Sequence, residues 1–499
     1  MTNAAGRAVN AVLAIALTPL FLRDLGAEQY GIWLLAATLT FSVGFLSLAE
    51  LGLNQASVRF VAQALARDDQ REVNEVVSTT TVVYAVLGVV LAVVLVSLAS
   101  VATALFDVSP ALRNTARAVF VLVGLQIALD LPASGVMTAL EGAQRYGVLR
   151  LIDVGLRIVW ASVSAVLVAL GHGVIVLAWT ALATSAVSLA ASLIVSRRSD
   201  PPLQLGLRFV SRRTLRQLVR SGTPTMGLRV ISVVYSQMDR IIIGIALAAS
   251  AVAAYEVAYK IHAAAALILG VMPSAVLPAT AFIGASADDS RLRGLYVKGT
   301  RYSLAIGLPI IVGGILFARP LIATWVGSDY TNVTGAARLF LMYPALALAL
   351  VVGQTMLVGL GRMREMLRYH LVAVLINLLV SSLLVSRVGI IGVIWGTVVG
   401  YLLLWVPFTR LLLDQFGVTF ASWLRLVAAP VAPGIAVQVA AGLAALHVVE
   451  GFSQLWQVAA AYGLSCATAV GVFFAVSPAG RTDLLNAFRC RRPAVATSD

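Results

Sequence analysis

The sequence is short of charge. Asp, Glu, Lys and Arg together make up 12% of its 499 residues, while hydrophobic residues make up 60%. No water-soluble fold of this size hides that much apolar surface, so the composition excludes a soluble globular protein. Cysteine is equally scarce: Cys466 and Cys490 do not make a disulfide framework. The four histidines, His172, His262, His370 and His447, are scattered, and no His-Glu-x-x-His occurs, which argues against a metal site. A Gly-x4-Gly-Lys-Ser/Thr loop is missing, so the chain carries no P-loop ATPase. Gaps between apolar stretches are too short for a soluble domain. That removes a sugar-nucleotide transferase domain and disfavours a polymerase or ligase working from a large outer loop. The reading is a non-enzyme without metal or cofactor, driven by an ion gradient, the membrane potential or substrate supply.

What is abundant is apolar sequence in bilayer-length runs. Fourteen occur, at 3–22, 30–51, 76–106, 116–140, 149–170, 174–195, 222–247, 252–281, 302–318, 336–360, 367–385, 390–413, 423–448 and 455–476. Each meets the requirement of roughly 17–25 residues for a spanning helix. A lipid-exposed backbone must satisfy its own hydrogen bonds, so all are expected to be helical. The fold class is all-α integral membrane, with about fourteen transmembrane helices. The first run is too long for a cleavable signal peptide and lacks a small-residue cleavage site before Arg23–Asp24.

Basic residues collect in every second gap. With the N-terminus inside, 26 of the 36 Lys and Arg fall in cytoplasmic segments, six in outer ones and four within spans. Both termini are therefore expected in the cytoplasm. The formal charge of +14 reads as a topological and anionic-lipid signal, with no nucleic-acid partner. The longest gap, 196–221, holds seven Arg; Arg208, Arg212, Arg216 and Arg220 repeat every four residues, as in an amphipathic interfacial helix.

The chain also reads as doubled. Ala116–Arg117 opens the fourth span and Ala337–Arg338 the tenth; Tyr30 opens the second and Tyr255 lies near the start of the eighth. The end of the fourth span, 139–142, matches the end of the tenth, 359–362. These near-constant offsets predict two pseudo-symmetric six-helix bundles in the same orientation, plus two further helices. The expected division is an N-terminal bundle at 1–195, a cytoplasmic amphipathic linker at 196–221 and a C-terminal bundle at 222–413. Helices thirteen and fourteen follow at 414–476, then a cytoplasmic tail at 477–499.

Three segments resemble a known family. Leu22-Arg23-Asp24-Leu25-Gly26-Ala27-Glu28-Gln29-Tyr30-Gly31-Ile32-Trp33 is similar to the signature between the first two helices of bacterial polysaccharide-biosynthesis membrane proteins. Ala49-Glu50-Leu51-Gly52-Leu53 with Arg59-Phe60 looks like that family's end of helix two. Asp239-Arg240-Ile241-Ile242-Ile243-Gly244, with Tyr255 and Lys260, resembles its helix seven–eight region. These are the Wzx-type lipid-linked oligosaccharide flippases of the multidrug/oligosaccharidyl-lipid/polysaccharide (MOP) exporter superfamily. The resemblance implies flipping of an undecaprenyl-diphosphate-linked oligosaccharide across a bacterial plasma (inner) membrane by alternating access, for O-antigen, capsule or exopolysaccharide. Helices thirteen and fourteen would guide the lipid tail. A polysaccharide polymerase and glycosyltransferases are the implied partners, besides the substrate and the bilayer. A cation-coupled drug exporter of the same superfamily is the runner-up, although the first span here carries no acidic residue. A membrane enzyme of polysaccharide assembly is the alternative from another class.

Ionisable groups inside spans are costly and usually functional. They are Asp130, Asp153, Arg157, Arg229, Asp239, Arg240, Glu256 and Lys260. Asp153/Arg157 and Glu256/Lys260 are spaced i,i+4, so each pair can neutralise itself on one helix face. Asp239 and Arg240 lie about 100° apart and cannot share a face. Arg157 and Arg229 both fall about 10–12 Å from the inner end of their spans. Facing a gap between the bundles, they would form an inner diphosphate site, with Arg240 and Lys260 as an outer one, because guanidinium forks match phosphate oxygens. Asp130, Asp153, Asp239 and Glu256 are the candidates for a charge network or ion coupling. The competing reading is lateral ion pairing that only holds the bundle together. Prolines inside spans, among them Pro19, Pro132, Pro273, Pro309 and Pro344, favour kinks that permit bending between states.

Overall fold

The computed structural model describes residues 2–40, 44, 47–48, 52–199, 202–285, 288–478 and 480–481, with the backbone alone at 2–5, 7–8, 11, 222–229, 268–269 and 271–274. Among the described residues there are helices and connecting turns and no strand. Two compact units emerge: Met1–Tyr255 with Ser382–Val393, and Glu256–Ser381 with Ile394–Asp499.

The first unit contains α1 (Thr2–Ala37), α2 (Leu53–Leu65), α3 (Gln70–Leu105), α4 (Arg113–Gly142), α5 (Tyr146–Ala169), α6 (Ile175–Arg197) and α7 (Arg212–Ala246). α1 is two helical stretches joined at Gly26, whose φ of 77° is the left-handed conformation that glycine tolerates. α3 and α4 form the most extensive helix pair. Lipid gives apolar helices no hydrophobic reason to pair, so small residues that let backbones approach decide the partner. A Cβ at Gly135 would lie 2.7 Å from the Thr81 Cα, which shows how closely these backbones meet. Away from α4, Val86, Val89, Val90 and Val93 stay exposed on α3, an apolar stripe suited to acyl chains.

α8 (Ala249–Ala266) leads into the second unit, followed by α9 (Val271–Ala285), α10 (Asp289–Trp325), α11 (Thr334–Leu348) and α12 (Val351–Gly359). Then come α13 (Met363–Val388), α14 (Ile390–Gln415), the short α15 (Phe420–Trp423), α16 (Ala432–Glu450) and α17 (Leu455–Val476). Asp288 caps α10: its Oδ1 accepts the Arg291 N–H at 3.0 Å and the Ser290 hydroxyl at 2.8 Å, and these bonds hold its carboxyl below the usual carboxylate range. Around Tyr296, Phe408, Phe416 and Trp423, α10, α12 and α14 bury a continuous apolar core. Both α16 and α17 pack on α10.

Among the described residues, nine helices are long and apolar enough to cross a membrane, or ten if Ser328–Leu348 and Val351–Gly359 form one span bent by 45°. Pro344 lies just before that bend and removes a backbone donor there. These ten correspond to ten of the fourteen stretches expected from sequence. The other four are the first, second, seventh and eighth. Helix α1 covers the first and enters the second, and α7 begins with arginine-rich turns. The eighth is broken by a 3-10 turn at Leu267–Gly270. No separate amphipathic helix occupies 196–221. Residues 202–206 form neither helix nor strand, Leu207–Phe209 make one 3-10 turn, and the Ser211 hydroxyl accepts the Thr214 N–H to start α7, so Arg212, Arg216 and Arg220 lie in its first turns. The Arg229 and Pro273 side chains, the Ala49, Glu50 and Leu51 part of the second motif and the tail beyond Arg481 lie outside the described residues.

Candidate functional site

The intramembrane charges fall into three groups in the first unit and one in the second. On α5, Arg157 Nε lies 3.0 Å from Asp153 Oδ1, and Arg150 approaches the other carboxylate oxygen at 3.7 Å. The i,i+4 pairing read from the sequence is thus formed, and Arg150 adds a second guanidinium from one turn earlier. Asp153 and Arg157 keep 36% and 40% of their side-chain surface exposed. Two guanidinium groups share one carboxylate, which leaves a net positive, partly exposed cluster able to meet an anion.

Asp130 on α4 is held differently. Gln126, one turn before it, donates from Nε2 at 3.2 Å. Asp130, Asp153 and Arg157 all belong to the first unit. The Gln126 carboxamide oxygen is buried with no partner.

On α7, Asp239 and Arg240 are both buried although they point in different directions. Asp239 accepts a hydrogen bond from Tyr255 Oη at 2.9 Å. Arg240 donates to the Ser236 carbonyl at 2.9 Å and to Gln237 Oε1 at 3.2 Å. α7 packs against α1, α2 and α3. In the second unit Lys260 Nζ lies 3.2 Å from Glu256 Oε1, the other expected i,i+4 pair, with side chains only 15% and 4% exposed.

Sequence spacing missed several partners. Gln126 stands at helical spacing from Asp130 and was open to detection. Tyr255 comes from another helix, so no local pattern points to it. Arg301, placed by the basic-residue pattern in a cytoplasmic segment, is buried in α10 with its guanidinium 5.5 Å from the Tyr302 ring centre. An aromatic cluster was missed too: His262 stacks on Phe340 at 4.2 Å, and Tyr343 meets Tyr401 edge-on at 4.8 Å. Among the described residues no group of His, Cys, Asp and Glu is arranged to hold a metal.

The Leu22–Trp33 signature has a structural meaning. Glu28 Oε1 accepts the Ser109 N–H at 2.7 Å and Gln29 Oε1 accepts the Val174 N–H at 3.0 Å. The two side chains tie α1 to the turns before α4 and α6. Gly31 lies against the Ala249 carbonyl with no room for a Cβ. A family model described as "Polysaccharide biosynthesis protein" matches residues 23–335, well over half of the chain. The chain belongs to the polysaccharide biosynthesis protein family.

Curated relatives and solved structures extend the likeness. A Shigella flexneri protein named for O-antigen transport is 22% identical over 402 residues, 78% of this chain and 91% of its own. A Haloferax volcanii protein named as a low-salt glycan biosynthesis flippase is 22% identical over 382 residues, 76% of each chain. Among solved structures, lipid II flippase MurJ in an inward closed conformation aligns with a TM-score of 0.70 at 13% identity, over 96% of this chain and 99% of that one. An inward-facing multidrug resistance MATE transporter of the MOP superfamily aligns with a TM-score of 0.67 at 17% identity, over 82% and 94%. At these identities the structures show the fold alone: this polysaccharide biosynthesis protein shares the helical architecture of both.

Proposed function

We propose that this protein flips a lipid-linked oligosaccharide from the inner to the outer leaflet of a bacterial plasma membrane, by alternating access. The substrate is an undecaprenyl-diphosphate-linked repeat unit of O-antigen, capsule or exopolysaccharide. The observation that carries the reading is family membership across residues 23–335, supported by relatives named for O-antigen transport and glycan flipping. The α5 cluster of Arg150, Asp153 and Arg157 fits the diphosphate end of such a substrate, because it is basic, accessible and set in an apolar helix. Arg229, Arg240 and Lys260 are further substrate-binding candidates. Asp130, Asp153, Asp239 and Glu256 are candidates for charge balance or ion coupling. The orientation is N- and C-termini cytoplasmic, with glycosyltransferases supplying the substrate and a polymerase receiving it.

Drug export is the second reading. Against it, the exporter fold aligns with 82% of this chain while the lipid-flippase fold aligns with 96%. Deletion of the gene separates the two. A flippase mutant accumulates lipid-linked repeat units on the inner leaflet and loses surface polysaccharide. Unchanged surface polysaccharide with new sensitivity to cationic drugs overturns the flippase assignment.

A further inference from the structure

The segment between α6 and α7 is strapped to the start of α3. The Gln204 N–H donates to Asn74 Oδ1 at 3.0 Å, the Gly206 N–H to Ser78 Oγ at 3.3 Å and the Ser211 N–H to Thr79 Oγ1 at 3.1 Å. The Thr214 hydroxyl donates to the Glu75 carboxylate, and Gln70 Nε2 to the Pro202 carbonyl. Asn74, Ser78 and Thr79 are buried beneath this ladder. Backbone donors that would otherwise need water are thus satisfied by side chains of one helix face, so the segment holds a fixed shape.

That shape presents arginine and apolar groups together. At 100° per residue, Arg212, Arg216, Arg220 and Arg213 span one side of α7's first turns, while the buried Thr214 and Leu218 fall on the opposite side. None of these four arginines makes an ion pair among the described residues. Arg208 lies 4.8 Å over the Phe209 ring and is also exposed. Beside them Leu207 is 79% exposed and Val210 and Val219 are exposed as well. α7 is about 50 Å long at 1.5 Å per residue, well beyond a hydrocarbon core of about 30 Å, so its arginine-bearing end stands at the membrane surface.

We propose that residues 207–220 form a rigid binding platform for anionic phospholipid headgroups, with Leu207 and Val210 entering the boundary with the acyl chains. Exposed leucine and valine interleaved with unpaired arginine suit an interface that is charged on one side and apolar on the other. Water alone accounts for the arginines and not for Leu207. The strap turns the loop from a flexible tether into a surface that keeps α3 and α7 at one depth. The platform rests on the proposed orientation for its leaflet, but not for its chemistry.

The test uses the full-length protein with Cys466→Ser, Cys490→Ser and Leu207→Cys, spin-labelled and placed in nanodiscs with or without phosphatidylglycerol. Both faces of a nanodisc are open, so the result does not depend on topology. The expected result is that phosphatidylglycerol raises collision with dissolved oxygen severalfold relative to collision with a water-soluble nickel chelate. High salt reverses that rise, since the Debye length falls to about 3 Å at 1 M. Arg212→Gln with Arg216→Gln and Arg220→Gln abolishes it. The salt arm needs no substitution and stands if that variant does not fold. Equal collision ratios in both bilayers, at all salt concentrations, overturn the platform. Immersion of Leu207 together with labelling of residue 217 from outside intact cells leaves the platform standing and overturns the orientation.

Discussion

Gln438 of α16 donates from Nε2 to the Pro309 carbonyl of α10 at 2.8 Å, with no exposure of the glutamine side chain. One residue on, the Ile310 carbonyl accepts from Tyr462 Oη of α17 at 2.5 Å. Pro309 lacks the N–H that would bond the Ala305 carbonyl one turn earlier, and the Pro309 and Ile310 carbonyls of the same stretch each take a donor from the last two helices. Gln438→Leu is expected to cost about 1 kcal/mol, the usual worth of an interhelical bond in a membrane. Gly313→Ala should cost more, because its Cβ would lie 2.4 Å from the Tyr462 ring, which the hydroxyl bond holds in place. Melting of the detergent-solubilised variants measures both, and a Gly313→Ala protein as stable as the parent contradicts this packing.

Gly31 gives a sharper steric prediction. A Cβ at that position would lie 1.8 Å from the Ala249 carbonyl oxygen, so backbone must move. Gly31→Ala is expected to lose about 1–3 kcal/mol or more and most of its expression. Gly155→Ala on α5 is the control, since nothing lies within 4 Å of its Cβ and alanine favours helix. Expression and thermal stability of the two, measured side by side, decide the matter.

Most of the helical framework was legible in the sequence, because a bilayer forces one solution on any long apolar run. Ten spans, the i,i+4 pairs Asp153/Arg157 and Glu256/Lys260 and the family follow from periodicity and local motifs. What was hidden depends on distant residues. Tyr255 reaching Asp239 and Gln438 reaching Pro309 join separate helices, and spacing within one helix carries no trace of them. The expected interfacial helix at 196–221 failed for a related reason. Periodicity reported the arginine stripe correctly, but Ser211 sets the helix start, and side chains of α3 bind the backbone of the preceding segment outside any α-helix.

The orientation is open to direct labelling. Gln217 is exposed in the first turns of α7, whereas Ser211 caps that helix and is a poor site for substitution. Gln217→Cys, with Cys466 and Cys490 replaced by serine, should not react with an impermeant maleimide in intact cells and should react after lysis. Reaction in intact cells would reverse the topology derived from the basic residues.

Arg157 separates a binding role from a structural one. Arg157→Lys keeps a positive charge beside Asp153 but loses the planar fork. If the α5 cluster holds a diphosphate, transport falls severalfold in reconstituted vesicles while the melting temperature stays near that of the parent. Unchanged transport would leave Arg157 as half of a pair that serves the helix alone, and Arg150→Lys is the companion variant because it approaches the same carboxylate.

The Asp239–Tyr255 bond yields the most discriminating measurement. Both side chains are buried, and the Tyr255 hydroxyl donates to a carboxylate, so the bond is of the charge-assisted kind worth about 1.5–3 kcal/mol. Tyr255→Phe removes the donor and keeps the ring, so stability should fall by about that amount. Asp239→Leu removes the acceptor and the charge together. In that background there is no carboxylate left to desolvate, and Tyr255→Phe should cost little. The double-mutant cycle therefore returns a coupling energy well outside the roughly 0.3–0.5 kcal/mol scatter of independent sites. Additive losses would show that the bond contributes nothing to stability. Transport then assigns the role: Tyr255→Phe weakens the protein without changing its chemistry, so transport per folded molecule should persist. Asp239→Asn keeps an acceptor for Tyr255 and loses only the charge. If Asp239 couples transport to an ion, this variant folds and does not transport. If Asp239 is part of the scaffold alone, it folds and transports normally.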